Sequence, residues 1–237
     1  MRLDHYRQAW DQKPALRAVY DDLYSKMLYY GSSGRSLEVG AGIGNLNILD
    51  QDLIRIDIQP SQAVDVAADA HFLPFKDESF ANIYLVDVLH HLECPLKFLS
   101  EAQRVLTQGG RLIMVEPGIT PISYLLYRVG HEEPVDMSWR PDPTCWPTIG
   151  RDPYESNQAI PSLLFHRFKE SLIRYGITLK LIHKRRLSIV AYPLSGGFKP
   201  WSLLPKFLVA PILSLEKVLL PFLGWLIAFR IIIVLEK

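Results

Sequence analysis

Cysteine is scarce in this sequence: 237 residues contain two, Cys94 and Cys145, too few for the disulfide framework of a small secreted domain. The opening MRLDHYRQAW lacks the apolar stretch of a secretory signal, so the expected compartment is the cytoplasm. Excess charge of one sign is missing as well. With 26 Lys+Arg against 25 Asp+Glu the net charge is +1, and no overall attraction to nucleic acid is expected. A composition of 49% hydrophobic and 22% charged residues excludes disorder and coiled coil in favour of a folded protein, best read as one domain. No internal repeat is visible. Charge is nevertheless unevenly spread, since only seven charged residues, five of them basic, follow Arg186. The longest stretch of this apolar tail with a single charge, Val218–Leu235, is broken by Pro221, Gly224 and Arg230. It is marginal for a membrane-spanning helix, which needs about 20 apolar residues.

Hydrophobic spacing gives the organisation. After a polar opening, Pro14 starts a helical pattern with Leu16, Val19, Tyr20, Leu23, Met27 and Tyr30 at three- and four-residue steps, ended by Gly31-Ser-Ser-Gly34. Short apolar strands are expected at Ser36–Val39, Leu53–Ile58, Ala63–Ala68, Ala81–Val88 and Arg111–Val115, with a helix over Pro95–Leu106 bounded by Gly109-Gly110. Strands alternating with crossovers predict an α/β fold with a parallel sheet covered by helices on both faces and ligands at the carboxyl ends of the strands. Beyond Gly118, Pro134, Pro141, Pro143, Pro147 and Pro153 predict an irregular aromatic cap over the site. A helix over Pro161–Tyr175 follows. Then come strands at Thr178–Ile182 and Leu187–Tyr192 around a basic turn, His183-Lys-Arg-Arg186, and a last strand over Phe229–Leu235. The single domain thus divides into an N-terminal helical lid (1–34), a cofactor-binding half (35–118), a substrate cap (119–160) and a closing portion (161–237) with an apolar insert (201–226).

The most informative segment is Glu38-Val-Gly-Ala-Gly-Ile-Gly44, directly after a strand. Alternate glycines permit positive φ and let a ligand approach the backbone. A dinucleotide-binding loop would place its third glycine at Asn45, so this is not Gly-x-Gly-x-x-Gly. With Asp57 closing the second strand, Asp69-Ala70 closing the third, and Ala81–His91 and Glu101–Glu116 behind, the segment resembles the class I S-adenosylmethionine-dependent methyltransferases over roughly residues 35–118. Quinone-biosynthesis C-methyltransferases and bacterial small-molecule and sugar methyltransferases belong to that group.

The resemblance implies a Rossmann-like, seven-stranded, mostly parallel sheet with helices on both faces, in which Glu38, Gly40, Ala41, Gly42 and Gly44 form the methionine side of an S-adenosylmethionine pocket. It implies that Asp57 binds ribose, that Ile58 lies against adenine, that Asp69 and Ala70 meet the adenine edge, and that Asp87 and Val88 lie near the sulfonium. One departure stands out: relatives place a full helix between the glycine loop and the second strand, whereas only Asn45–Asp52 is available here.

A sulfonium methyl is already activated, so alignment and exclusion of water carry most of the catalysis, and a base matters only for hydroxyl or acidic carbon acceptors. Candidate bases are His90, His131 and Glu116, in that order; His91 ranks lower because adjacent side chains rarely face one pocket. The His-His pair lacks zinc-site spacing and the cysteines are isolated, so no metal is expected. Trp201–Leu226 reads either as a helical pair completing the core or as an apolar surface, bordered by Lys199, Lys206, Lys217 and Arg230, that rests on a membrane or takes a lipid tail. The expected activity is methyl transfer to the oxygen or carbon of a small-molecule or lipid-linked acceptor, by a cytoplasmic enzyme free or peripheral on the inner face of the membrane. The alternatives are a non-catalytic cofactor-binding or membrane-associated interaction protein and, less favoured, an NAD-dependent dehydrogenase.

Overall fold

A computed structural model describes residues 2–46, 52–130 and 132–237. Two helices, α1 (Arg2–Gln12) and α2 (Pro14–Leu28), precede the sheet. Pro14 occupies the first turn of α2, where its missing N–H costs nothing, and Leu16, Val19, Tyr20, Leu23 and Met27 form the buried face. The polar opening is helical too, which its sequence pattern did not indicate.

The sheet comprises β1 (Ser36–Val39), β2 (Leu53–Asp57), β3 (Val66–Ala67), β4 (Phe80–Val86), β5 (Leu106–Pro117), β6 (Lys180–Leu187) and β7 (Arg230–Glu236), in spatial order β3-β2-β1-β4-β5-β7-β6. The pairs from β3 to β5 are parallel, and β7 runs antiparallel to both β5 and β6. Strand order reverses between β1 and β4, the switch point at which open α/β sheets take ligands. One core face gathers Leu37, Ile83, Leu85, Phe98, Leu99 and Met114, while the other packs Tyr84, Ile113, Val115 and Ile232 under α2. The predicted fold class is therefore observed.

Several element expectations change. The basic run His183–Arg186 is no turn: β6 passes through it unbroken, and the chain then folds into α6 (Ala191–Ser195). An edge strand pairs on one side only and accommodates exposed cations, which also discourage pairing with another sheet. Gly109 and Gly110 lie within β5, which starts immediately after α3 (Pro95–Val105), with a register irregularity between Phe80 and Asn82 on the partner strand. The region after Gly118 is not wholly irregular, because α4 (Pro121–Gly130) forms ahead of its prolines. The helix expected over Pro161–Tyr175 is a short α-turn, α5 (Ile160–Ser162), continued by wider turns to Arg167 and tighter ones over Lys169–Tyr175. Instead of a helical pair, Lys206–Ile227 is one 22-residue helix, α7, that runs through Pro211 and Pro221.

Candidate functional site

The glycine loop leaves β1 at the switch point. Gly40, Gly42 and Gly44 have φ of +71°, +54° and +74°, the left-handed region that side chains rarely adopt. Gly40 and Gly44 are also needed for packing: a Cβ would lie 2.3 Å from Val88 Cγ2 and 2.7 Å from Ala63 Cβ, respectively. At Gly42 a Cβ would meet nothing within 4 Å, so this peptide faces open space beside the carboxyl ends of β1 and β4. Ala41 is buried, and its N–H and that of Gly40 donate to Ile56 O on β2.

Asp57 meets this loop. Its Oδ2 accepts the Gly42 N–H at 2.9 Å and its Oδ1 accepts the Gln59 N–H at 2.8 Å, leaving one lone pair on each oxygen of a half-exposed carboxylate. Ile58 beside it is 53% exposed, an apolar surface without a partner in the core. At the end of the third strand Asp69 Oδ1 accepts from His71 N and lies 2.7 Å from His71 Nδ1, and His71 Nε2 accepts the Cys94 N–H at 3.3 Å. Ala70 is buried next to it. Glu38 is buried on β1 with Arg55 Nε 3.3 Å away; burial raises its pKa to about 8 despite the nearby guanidinium. Asp57 and the glycine loop thus meet directly, and Asp69 follows two residues after Ala67, which pairs with Asp57 between β2 and β3.

At the end of β4, Asp87 has a φ of +58°, and its carboxylate is held in two bonds by the Arg230 guanidinium, the Oδ2–Nη2 contact being 2.8 Å. Tyr20 Oη donates to the same carboxylate at 3.2 Å, and the guanidinium lies 3.8 Å from the centre of the Tyr192 ring. Burial pulls the Arg230 pKa down, but Asp87 outweighs it and keeps the group charged. Asp87 is thus more than a loop acid available to a ligand. It is the partly exposed half of an ion pair with the buried Arg230, beside Val88, which packs against Gly40. Arg230, expected as a cation bordering the apolar tail, is instead 1% exposed and turned to Asp87, a pairing for which the sequence carries no local signal.

The candidate bases form a different arrangement from the one expected. Glu116 is fully buried: Oε1 accepts the Val88 and Leu89 N–H groups, and Oε2 lies 2.7 Å from His90 Nδ1. His90 Nε2 faces Glu133 Oε2 at 3.3 Å, and His91 Nε2 faces Glu133 Oε1 at 3.9 Å. Burial works to lower the His90 pKa, but its hydrogen bonds to both glutamates prevail and raise it to about 10; burial and the neighbouring His90 push His91 down to about 4. His90 therefore holds a proton between two carboxylates and has no free lone pair, and Glu116 caps a turn. His90 and Glu116 thus engage each other, with Glu133 on the far side of the imidazole and two backbone N–H groups on the Glu116 carboxylate. Both histidines turn to one carboxylate because they sit on a single tight turn, Leu89–His91, with rings 4.2 Å apart. His131 lies outside the described residues.

The cap reaches this cluster and the loop after β2 alike. Gln158 donates to Glu133, Asn157 N–H donates to His90 O, and Tyr154 Oη donates to Gln59 Oε1 at 3.2 Å. Tyr6 of α1 stacks edge-on against Tyr154 and lies 4.9 Å from Phe198. A disulfide joins Cys94, at the start of α3, to Cys145 in the cap, so the two cysteines are not isolated. A polar cavity of about 470 Å³ lined by Asp77, Glu78, Ser100, Gln103, Arg104 and Lys237 lies at the other end of the strands, and no candidate residue lines it.

With this geometry in view, residues 37–114 match the family model for a methyltransferase domain. An uncharacterized protein of Methanocaldococcus jannaschii is 36% identical over 89 residues, covering 34% of this chain and 43% of its own. An uncharacterized 37.1 kDa transposon protein of Streptomyces fradiae is 35% identical over 85 residues, 36% of this chain and 24% of its own. The chain thus spans less than half the length of these curated relatives. Among solved structures, a Bacillus halodurans protein described as a candidate methyltransferase superposes with a TM-score of 0.51 at 18% identity, covering 90% of this chain and 98% of that one. The geranyl diphosphate C-methyltransferase of Streptomyces coelicolor gives 0.51 at 11% identity, covering 92% and 78%. The [4+2]-cyclase SpnF also gives 0.51, at 17% identity over 93% and 81%, so the methyltransferase fold can carry another reaction.

Proposed function

We propose that this methyltransferase domain binds S-adenosylmethionine across the ends of β1, β2 and β4 and transfers its methyl to the oxygen or carbon of an amphipathic small molecule or a lipid-linked acceptor. The observation that carries the reading is the meeting of Gly42 and Asp57, an open backbone face joined to a carboxylate with lone pairs to spare. In this reading Asp57 accepts from ribose hydroxyls, Ile58 and Ala70 flank adenine, Asp69 accepts from its amino group, and the Gly40–Gly44 loop cradles the methionine. Arg230 holds Asp87 and Val88 in register with that loop. The chain's own contribution is alignment and shelter from water, with Tyr6 and Tyr154 closing over the site. Calorimetry with S-adenosylmethionine, S-adenosylhomocysteine and NAD tests the cofactor, the first two being expected to bind and NAD not. Labelled methyl transfer into a cell extract tests turnover, and binding without transfer would favour a cyclase-like or non-catalytic role.

A surface on the far side of α7 supports an acceptor presented at a membrane. Phe207, Leu215, Val218, Phe222 and Trp225 are exposed on α7, and Leu125, Leu126 and Val129 on α4, which packs against it. Single exposed apolar residues are ordinary, but a contiguous set is a docking face. The helix is long and apolar enough to cross a membrane, with a mean hydropathy of 1.7. Glu216, however, is buried and accepts the N–H groups of Ile189, Val190 and Ala191, which ties α7 to the domain. That tie favours a helix lying on the bilayer, with Lys206 and Lys217 available to anionic headgroups. Cosedimentation with anionic vesicles, lost when Phe222 and Trp225 are replaced by Ser, is the expected result. Indifference of the wild-type chain to vesicles removes this part of the reading.

A further inference from the structure

Two imidazoles and a carboxylate converge at the ligand end of β4, although the residues come from separate places in the chain. His90 and His91 follow β4, and Glu133 enters from the cap. The Nε2 atom of each histidine faces a different oxygen of Glu133, at 3.3 and 3.9 Å, and one ligand atom from each of the three residues lies within 4.8 Å of the other two. Ligands bound to one tetrahedral zinc ion at about 2.0–2.1 Å stand roughly 3.3–3.5 Å apart, so the His90–Glu133 separation already matches the edge of such a site, and His91, 3.9 Å from Glu133 and within 4.8 Å of the His90 ligand atom, closes the set by a small side-chain shift. The outer sphere is in place too. Glu116, fully buried and fixed by two backbone N–H groups, engages Nδ1 of His90, which is the carboxylate–histidine–metal relay that orients an imidazole and strengthens it as a ligand. Gln158 holds the Glu133 carboxylate from the cap side.

We propose that His90, His91 and Glu133 bind one zinc-class divalent cation, with Glu116 as the residue that positions His90. Two imidazoles and one carboxylate leave a fourth position for water or for an oxygen of the acceptor, as in catalytic rather than structural zinc sites. The cation takes the place of the proton otherwise held between His90 and Glu133. Because Glu133 belongs to the cap and the histidines to the sheet, the ion also fixes the cap over the end of β4, two residues from Val88. The expectation of no metal rested on spacing along the chain, which cannot register a ligand 42 residues away.

The test uses the full chain, stripped with a chelator and dialysed against Zn²⁺, with metal content, Co²⁺ absorption and S-adenosylmethionine binding measured on the same samples. Expected are one Zn²⁺ per chain, a tetrahedral Co²⁺ spectrum, and at least tenfold weaker zinc binding in both Glu133→Gln and His91→Ala. Mg²⁺ at the same concentration should not compete. Failure of the wild-type chain to retain Zn²⁺, or retention of equal affinity by both variants, overturns the proposal. The cofactor measurement keeps the two readings separate: a chain that binds S-adenosylmethionine without zinc refutes only the metal site, and one that binds zinc without the nucleoside refutes only the cofactor reading.

Discussion

At Gly40 an added Cβ would lie 2.3 Å from Val88, whereas at Gly42, two residues on, it would meet nothing. Both need positive φ, but only the first is locked by neighbours, so Gly40→Ala should cost about 2 kcal/mol or more through strain and overpacking. Chemical denaturation checks this, and an unchanged midpoint contradicts it. Glu38 supplies a pH prediction. Its folded pKa of about 8 exceeds the ordinary 4.5 because the carboxyl is buried, so the folded state holds the extra proton. Stability from this group is fully present below about 4.5 and declines as pH rises to about 8. Melting temperatures at pH 5 and pH 8.5 should therefore fall less in Glu38→Gln than in the wild-type chain. At this scale the loop glycines, Asp57 and Asp69 were legible because a strand followed by alternating glycines and then strand-end acids is a local pattern. The pairing of Arg230 was not, because its partner Asp87 lies 143 residues earlier and only the folded sheet brings β7 beside the end of β4.

Among the elements, the parallel strands were readable from their apolar runs, and their ends were misplaced by a few residues at most, apart from β3, which shrinks to two. The error over His183–Arg186 has a clear cause. Four consecutive polar or charged residues look like a turn, yet on an edge strand they cost little, since solvent covers one side. The continuous α7 was obscured by Pro211 and Pro221, each of which removes one helical hydrogen bond without ending this helix. Its exposed apolar face was foreseen as one of two outcomes. The Cys94–Cys145 bond closes a loop of 51 residues between α3 and the cap, and such a bridge is commonly worth about 2–4 kcal/mol. Reduction by dithiothreitol should lower the melting temperature and speed proteolysis of the cap, as should the Cys94→Ser, Cys145→Ser pair. Equal stability of the oxidised and reduced chains would mean that the tether does not hold the cap. A reducing compartment would leave these thiols unpaired, so the strength of the tether depends on the redox conditions around the protein.

For the molecule as a whole, the alternation of strands and crossovers was enough to predict an α/β fold built on a mostly parallel sheet. The cap was harder, because its shape comes from contacts such as Asn157 with His90 and Tyr154 with Gln59 rather than from any periodicity. The same limit governs the acceptor, whose chemistry depends on side chains drawn from α1, the cap and the β4 end together. The nucleoside end depends on fewer groups and is therefore the sharpest point of attack. Titrating S-adenosylhomocysteine into the wild-type chain and into Asp57→Ala by calorimetry tests it directly. One site in the wild-type chain and at least tenfold weaker binding in the variant is the predicted result; no heat from the wild-type chain, or equal affinity in both, contradicts the account.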